Sequence, residues 1–276
     1  MKYGEPANSG LWLYFVIAFV FSWLFWIPQA LVSTGLLPVP SVFAEFLFSP
    51  FNPAAFGPLV SAFSLTYAFE GGKGVRNLLK RGVDYKFSKK WLIPIFLLFP
   101  IITGGALLLA VISGEALPQL FALSNPLSVA VGFVYIFFLG GPFQEEWGWI
   151  GYALDRLQAG WNALVSSLVL GVIWRAWHLP LFFISGSIQS QTPVWGFMIL
   201  ILCGTILFTW VYNNTGGSIL AMMLLHTMNN LSFLIFPTLE TTLGGLYLLI
   251  LNIVFVTGIV AKWGYKKLVR ENKNHI

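Results

Sequence analysis

Apolar runs of about 20 residues, separated by short polar stretches, follow one another along the whole chain. About 20 apolar residues is the length at which an α-helix crosses the hydrocarbon core of a bilayer. The runs do not alternate apolar and polar residues with a period of two, so they predict helices rather than strands. The eight predicted spans are Leu11–Leu31, Phe51–Phe69, Trp91–Ile112, Pro126–Leu157, Trp161–Ile184, Val194–Tyr212, Ser218–Phe236 and Leu243–Val260.

The composition agrees with this pattern. Hydrophobic residues make up 57% of the 276 residues and charged residues only 9%, with a mean hydropathy of +0.80. These values exclude a soluble globular domain and predict an all-α, polytopic membrane protein. The chain has no internal repeat and no second domain, so we expect residues 1–276 to form a single integral membrane domain. The first span is too long for a signal-peptide core and lacks a clear cleavage site, so we expect it to be retained.

Basic residues indicate the orientation in the membrane. With eight spans, the loop from Glu70 to Lys90, the turn at Asp155–Arg156 and both termini fall on one side. That side holds 14 of the 15 Lys and Arg residues, all except Arg175. Cytoplasmic loops are enriched in Lys and Arg. The pattern therefore predicts a multi-pass protein of the cell membrane with both termini cytoplasmic, and the pI of about 9.3 does not indicate a nucleic-acid partner.

The fourth predicted span contains a break. Gly140-Gly141-Pro142 interrupts the apolar run, and proline and glycine in such a position kink or end a helix. A second helical piece then begins at Phe143 and carries Glu145 and Glu146 in its first turn.

Apart from the Asp155–Arg156 turn, few charged or histidine side chains lie within the spans, and those that do come from predicted helices 4, 5 and 7. Ionisable groups at membrane depth are costly and usually functional. A polar site between these three helices is therefore predicted. Its candidate residues are Glu145, Glu146, Arg175, His178, His226, Asn229 and Asn230. His275 lies in the polar tail and is not expected to take part.

Each candidate also has a purely structural interpretation. Glu145 and Glu146 can be interfacial carboxylates at a helix end. His178 can be a hydrogen-bonded packing residue walled in by Trp174, four residues earlier on the same helical face. His226 and Asn230, also four residues apart, can form an interhelical hydrogen bond worth about 0.6–2 kcal/mol. The combination of these residues on three segments is a stronger signal than any of them alone.

The motifs resemble those of the CAAX prenyl protease type II and bacteriocin-processing family of intramembrane glutamate proteases, also called CPBP or Abi. That family is marked by Glu-Glu-x-x-x-Arg, then Phe/Trp-x-x-x-His, then His-x-x-x-Asn/Asp. The corresponding segments are Glu145–Ile150, Trp174–His178 and His226–Asn230. The family-like region covers about residues 126–236.

The resemblance implies a hydrolase that cleaves a peptide bond near the cytoplasmic leaflet, in CAAX-type C-terminal processing or peptide maturation. It implies that Glu145 activates the attacking water with help from His178, and that His226 and Asn230 form the oxyanion-binding side. Glu146 would organise the site, normally through the arginine four residues later. The implied partners are a peptide or lipidated protein substrate and membrane lipids.

This sequence departs from the family at that arginine, which is Ile150 here. A buried carboxylate without its partner costs several kcal/mol. We therefore expect Arg175, the cation predicted within the spans, to form a structural ion pair with Glu146 from helix 5. On this hypothesis Arg175→Ala destabilises the protein and Ile150→Arg restores part of the loss. The alternative is a catalytically decayed membrane protein with a binding or immunity role.

The remaining question is whether the site binds a metal ion. Two histidines and a glutamate can bind zinc, but the chain has no His-Glu-x-x-His motif, and its one cysteine, Cys203, provides no cluster. We expect no cofactor, with zinc as the alternative. A transporter is a further alternative, but such folds carry broken helices in two matching halves, and only one break is present.

Helix lengths raise one difficulty. At 1.5 Å per residue, Trp161 to His178 spans about 25 Å, whereas Ser218 to His226 spans about 12 Å. The two imidazoles are expected to meet only if the fifth span begins outside the bilayer or tilts strongly.

Overall fold

The computed structural model describes residues 10–50 and 52–270, and every regular element in these ranges is helical. His275 and both chain ends, whose side of the membrane was predicted, lie outside them. The α-helices are α1 (Leu11–Ser33), α2 (Ser41–Phe48), α3 (Gly57–Gly82), α4 (Leu92–Ile112), α5 (Phe121–Ser124), α6 (Pro126–Leu139), α7 (Pro142–Gly148), α8 (Asp155–Gly160), α9 (Ala163–Trp177), α10 (Val194–Asn214), α11 (Ile219–Ile235) and α12 (Thr242–Trp263). A π-helical segment, Trp149–Leu154, joins α7 to α8, and short 3-10 segments lie at Pro53–Phe56, Lys89–Trp91, Leu179–Phe183, Gln189–Gln191 and Thr238–Glu240.

The all-α, polytopic membrane class is confirmed, and each of the eight predicted spans contains a helix. Five segments of the described chain are long and apolar enough to cross a membrane: Leu11–Ser33, Lys89–Ile112, Pro126–Gly160, Val194–Asn214 and Thr242–Trp263. The helices α9 and α11 are apolar but shorter, and α3 is apolar only in its first half.

The predicted loop from Glu70 to Lys90 is instead largely helical. Helix α3 continues to Gly82 and bends at Gly71, which has φ +63° and ψ −165°. A left-handed φ is easily adopted by glycine, which has no Cβ to clash. The charged part of α3 is therefore a helical extension of the second span at an angle to it.

The predicted break lies between α6 and α7. Gly141 has φ +113°, its N–H donates to Oε1 of Gln144 at 2.9 Å, and Pro142 occupies the first turn of α7. Proline is tolerated in the first turn of a helix because the N–H it lacks has no partner there. The chain thus starts a new helix direction three residues before Glu145.

The broken helix lies in the interior of the bundle. Helix α7 packs on α3, α6 and α11, while α9 packs on α10 and α1 packs on α3. Aromatic rings fill the space between α1, the π segment and α9: Trp149 stacks on Trp174 at 5.9 Å and meets Trp177 edge-on at 5.4 Å. Such ring pairs favour offset or edge-on geometry, so they fix the position of α9 relative to the π segment.

A polar clamp joins the helix ends at the charged side of the bundle. The guanidinium of Arg81 forms an ion pair of 2.8 Å with Asp155 and donates to the carbonyl oxygen of Gly151 at 3.0 Å. The hydroxyl of Tyr212 donates to Asp155 at 2.5 Å. Arg81 thereby holds the π segment in place, because Gly151 lies within it and Asp155 directly follows it.

Candidate active site

The adjacent carboxylates of α7 are both buried, Glu145 at 6% exposure and Glu146 at 0%. Because successive residues of a helix point about 100° apart, the two carboxylates face different neighbours. Glu145 faces α9 and Glu146 faces α11. The two carboxylates therefore contact different residues, although they are adjacent in the sequence.

Glu145 is held by a tryptophan of α9. The indole nitrogen Nε1 of Trp174 donates to Oε2 of Glu145 at 2.8 Å. Hydrogen bonds to an ionised acceptor are stronger than neutral ones, so this contact fixes the orientation of the carboxylate.

Glu146 is held by a histidine of α11. Nδ1 of His226 lies 2.6 Å from Oε1 of Glu146, where the ring donates to the carboxylate. The other oxygen, Oε2, has no hydrogen-bond partner among the described residues. The contact assigns the proton to Nδ1 and leaves Nε2 as the nitrogen that can reach a ligand.

Gly141 lies next to both hydrogen-bonded pairs, Glu145–Trp174 and Glu146–His226. A Cβ at this position would lie 2.5 Å from Oε1 of Glu145 and 3.8 Å from Cε1 of His226. The carboxylate of Glu145 and the free edge of His226 thus border the same small space. Glycine is required here by both the left-handed φ and this close approach.

His178 lies at the end of α9 and is half-buried. Its Nδ1 donates to the carbonyl oxygen of Trp174 at 2.8 Å, which leaves Nε2 free. The ring stacks loosely on Trp174 at 6.5 Å and on Trp26 at 6.3 Å. His178 therefore joins the site through Trp174.

Asn230 contacts the break. Its Nδ2 donates to the carbonyl oxygen of Gly140 at 3.1 Å, and its Oδ1 accepts from Nδ2 of Asn229 at 3.0 Å. One turn earlier on α11, His226 reaches Glu146, so both residues face the α6–α7 junction. The predicted His226/Asn230 face is thus directed at the site.

Arg175 is not part of this cluster, and the structure contradicts its predicted ion pair with Glu146. Its guanidinium lies over the rings of Phe182, at 4.1 Å, and Phe197, at 5.2 Å. Oε1 of Glu146 accepts from His226, and its Oε2 has no hydrogen-bond partner among the described residues. The physical reason is the rotational position of α9, which directs Trp174 towards α7 and turns Arg175 away.

Ile150, at the position of the family's arginine, is fully buried in the π segment. A π-helical turn contains more residues than an α-helical one, so residues four apart across it do not share a face as they do in α7. The missing arginine is therefore replaced by His226 as the partner of Glu146, and not by Arg175.

The two histidine rings do approach the same residue, although the helix segments before them differ in length. Both rings reach Trp174, His226 at 5.6 Å and His178 at 6.5 Å between ring centroids.

Metal ligation was the open alternative. Within the described residues, no three His, Cys, Asp or Glu side chains are grouped as a metal ion would require. Nδ1 of His226 is also engaged by Glu146. The nitrogen and oxygen atoms left for a ligand are Nε2 of the two histidines and Oε1 of Glu145.

Sequence reasoning missed part of the site. It gave Trp174 the role of a wall beside His178, whereas the indole also donates to Glu145 and its ring meets His226. Gly141 was recognised only as a helix breaker. The available signals were a tryptophan four residues before a histidine and a glycine four residues before a glutamate.

Two comparisons bear on identity. The model of the family described as type II CAAX prenyl endopeptidase, Rce1-like, matches residues 126–232, which hold the whole cluster. The chain is 28% identical over 230 residues to CAAX prenyl protease 2 of Methanococcus maripaludis, covering 80% of this chain and 82% of that protein. The chain is thus similar over residues 126–232 to the Rce1-like type II CAAX prenyl endopeptidases, and over most of its length to a protein named as such a protease, and both matches support a peptidase.

Proposed function

We propose that this peptidase hydrolyses a peptide bond near the C-terminus of a prenylated or otherwise hydrophobic peptide, using water activated by Glu145. The name of the relative supports the substrate class. The observation that carries the chemistry is the arrangement around Gly141, where the carboxylate of Glu145 and the free edge of His226 border one space. A general base and an oxyanion donor must face the same reacting carbonyl.

The proposed reaction needs these groups in a fixed order. Oε1 of Glu145 takes a proton from water as the water oxygen bonds to the carbonyl carbon. The carbonyl oxygen becomes negative and accepts a hydrogen bond from Nε2–H of His226 in its doubly protonated form, while Glu146 accepts from Nδ1–H and keeps that ring oriented. The C–N bond then breaks, and the proton passes from Glu145 to the leaving nitrogen.

His178 and Asn230 support this reaction in different ways. Nε2 of His178 is free to hold the attacking water, since Nδ1 is engaged by the carbonyl oxygen of Trp174. Asn230 steadies the α6–α7 junction through Gly140, and its amide adds to the oxyanion side.

We place the reaction near the cytoplasmic leaflet of the cell membrane, with both termini cytoplasmic. The support is that basic ends of several helices meet at one side of the bundle. Arg81 of α3 pairs with Asp155 of α8, and Nδ2 of Asn213 of α10 donates to the backbone carbonyl oxygen of Lys267 beyond α12 at 2.8 Å. Excess positive charge marks the cytoplasmic side of a membrane protein.

We propose that the reaction needs no metal. The geometry favours this because His226 uses Nδ1 on a carboxylate. Zinc remains the alternative, since catalytic zinc sites use three protein ligands and a water.

Cleavage of a quenched fluorescent farnesylated peptide by the purified protein tests the proposal. We expect Glu145→Gln and His226→Gln to lose cleavage, Glu240→Gln at an exposed position to keep it, and chelators to leave it unchanged. Loss of activity with a chelator would instead support zinc. A wild-type protein that binds the peptide without cleaving it would support the decayed, binding role.

A further inference from the structure

Arg175 carries a positive charge that nothing in the described chain neutralises. The residue is 2% exposed, and neither Nε nor Nη1 has a hydrogen-bond partner within residues 10–50 and 52–270. A buried charge without a partner costs several kcal/mol. The rings of Phe182 and Phe197 offset part of this cost by cation–π attraction, but they form no hydrogen bonds with the guanidinium.

The other two buried arginines of the described chain differ from Arg175 in this respect. Arg81 pairs with Asp155 at 2.8 Å, and Arg156 pairs with Glu70 at 2.7 Å. Each already holds a carboxylate. Arg175 is thus the buried arginine that is still able to bind one.

Arg175 also lies beside the candidate site. It follows Trp174, whose indole holds Glu145, and it precedes His178 by three residues. The ring of Phe197 contacts both of them, at 5.2 Å from the guanidinium and 5.5 Å from the imidazole of His178. His178, Phe182 and Phe197 are half-buried, so this side of the guanidinium is the more open one.

We propose that Arg175 binds the free C-terminal carboxylate of the peptide substrate. The inference rests on the proposed function, because it gives Arg175 a ligand that a peptidase acting near a C-terminus must accommodate. A carboxylate brought to membrane depth needs a cation, and the planar guanidinium can donate two parallel hydrogen bonds to it. Arg175 directly follows Trp174, whose indole holds Glu145, so a substrate whose scissile bond lies at Glu145 can place a nearby C-terminus beside the guanidinium.

The proposal explains why an arginine is kept at this buried position without an ion pair. An empty site leaves the charge uncompensated, and a bound carboxylate compensates it. Specificity then follows, because a substrate without the carboxylate leaves the guanidinium buried and unpaired. Anchoring the C-terminus at Arg175 would then determine which peptide bond of the substrate lies at Glu145 and is cleaved.

Two farnesylated peptides that differ only at the C-terminus, one a free acid and one an amide, test the proposal. Full-length protein is used in nanodiscs of neutral phosphatidylcholine, so that no anionic lipid headgroup competes for the guanidinium. We expect the wild type to prefer the free acid by about 10-fold or more in kcat/KM. The preference should fall to about 1 in Arg175→Gln and be partly kept in Arg175→Lys. Equal cleavage of the two peptides by the wild type, or an unchanged preference in Arg175→Gln, would overturn the proposal.

A binding measurement separates this proposal from the proposed function. The tripeptide Ala-Val-Leu and its C-terminal amide are titrated onto wild type and Arg175→Gln, with thermal unfolding as a check of folding. Tighter binding of the free acid in the wild type alone supports the proposal even if no peptide is cleaved. Binding that does not depend on the carboxylate would overturn the proposal. A loss of thermal stability in Arg175→Gln, together with equal losses of affinity for both ligands, would also overturn it and would assign Arg175 a structural role.

Discussion

Trp174 and Glu145, 29 residues apart on α9 and α7, are joined by a hydrogen bond of 2.8 Å from the indole nitrogen to Oε2. The same indole ring meets His226 edge-on at 5.6 Å. A single side chain therefore orients the proposed base and packs against the proposed oxyanion donor. The positions of the catalytic groups therefore depend on how α9 is held against the π segment that follows α7.

Trp174→Phe should keep most of the ring packing and lose the hydrogen bond to Glu145. Hydrogen bonds to charged groups contribute about 1.5–3 kcal/mol, so we expect kcat/KM to fall by roughly 10- to 100-fold. Steady-state cleavage of the fluorescent peptide measures the effect.

Trp210→Phe is the matched control. Trp210 is also a buried tryptophan, but its Nε1 has no hydrogen-bond partner among the described residues, and its ring packs on Trp91 and Trp263, which lie outside the candidate site. We expect activity close to that of the wild type. Equal losses in the two variants would mean that the size of the ring matters at these positions and the hydrogen bond to Glu145 does not.

Glu146 and His226 should behave as a coupled pair. Glu146→Gln removes the charge that orients the imidazole, and His226→Gln removes the imidazole itself, so each should lower kcat by about 100-fold or more. Either substitution alone already breaks the Glu146–His226 interaction. The kcat of the double variant should therefore be close to that of either single variant. A double-mutant cycle in kcat measures the coupling, and effects that simply multiply would show that the two residues act independently.

Gly141→Ala should abolish cleavage for two reasons. The added Cβ would come within 2.5 Å of Oε1 of Glu145, and the residue would keep an unfavourable φ of +113°. Gly186→Ala carries a similar backbone cost, at φ +82°, with nothing within 4 Å of the added atom. Activity and thermal stability of both variants separate the effects: Gly186→Ala should lose stability only. Equal activity in the two variants would contradict a crowded site at Gly141.

The parts of the fold that depend on local sequence could be predicted. Apolar runs gave the spans, and Gly140-Gly141-Pro142 gave the break, because proline and glycine act on the backbone where they stand. The helical extension up to Gly82 was missed because its charged residues resemble those of a loop. This extension packs against the ring of Trp147, which lies against Gly82. Because Trp147 is far from Gly82 in the sequence, local patterns do not reveal the contact.

Which side chains meet in the site could be predicted only in part. The i,i+4 spacing on α11 correctly placed His226 and Asn230 on one face. The partner of Glu146 was missed because it depends on how α7, α9 and α11 are rotated against one another, and the π segment at Ile150 changes the register that an α-helical rule assumes. Sequence spacing alone does not fix those rotations.

The clamp at the charged side should control stability more than chemistry. Arg81 is 8% exposed and joins Asp155 to the carbonyl oxygens of Gly151 and Gly217. Removing one partner of a buried pair costs about 3–5 kcal/mol, so Arg81→Ala should markedly lower the Tm of the protein in detergent. Arg76→Ala, an exposed arginine of the same helix, should change it little. At a temperature where Arg81→Ala is still folded, its KM should remain near that of the wild type. A raised KM with an unchanged Tm would move Arg81 from the scaffold into substrate binding.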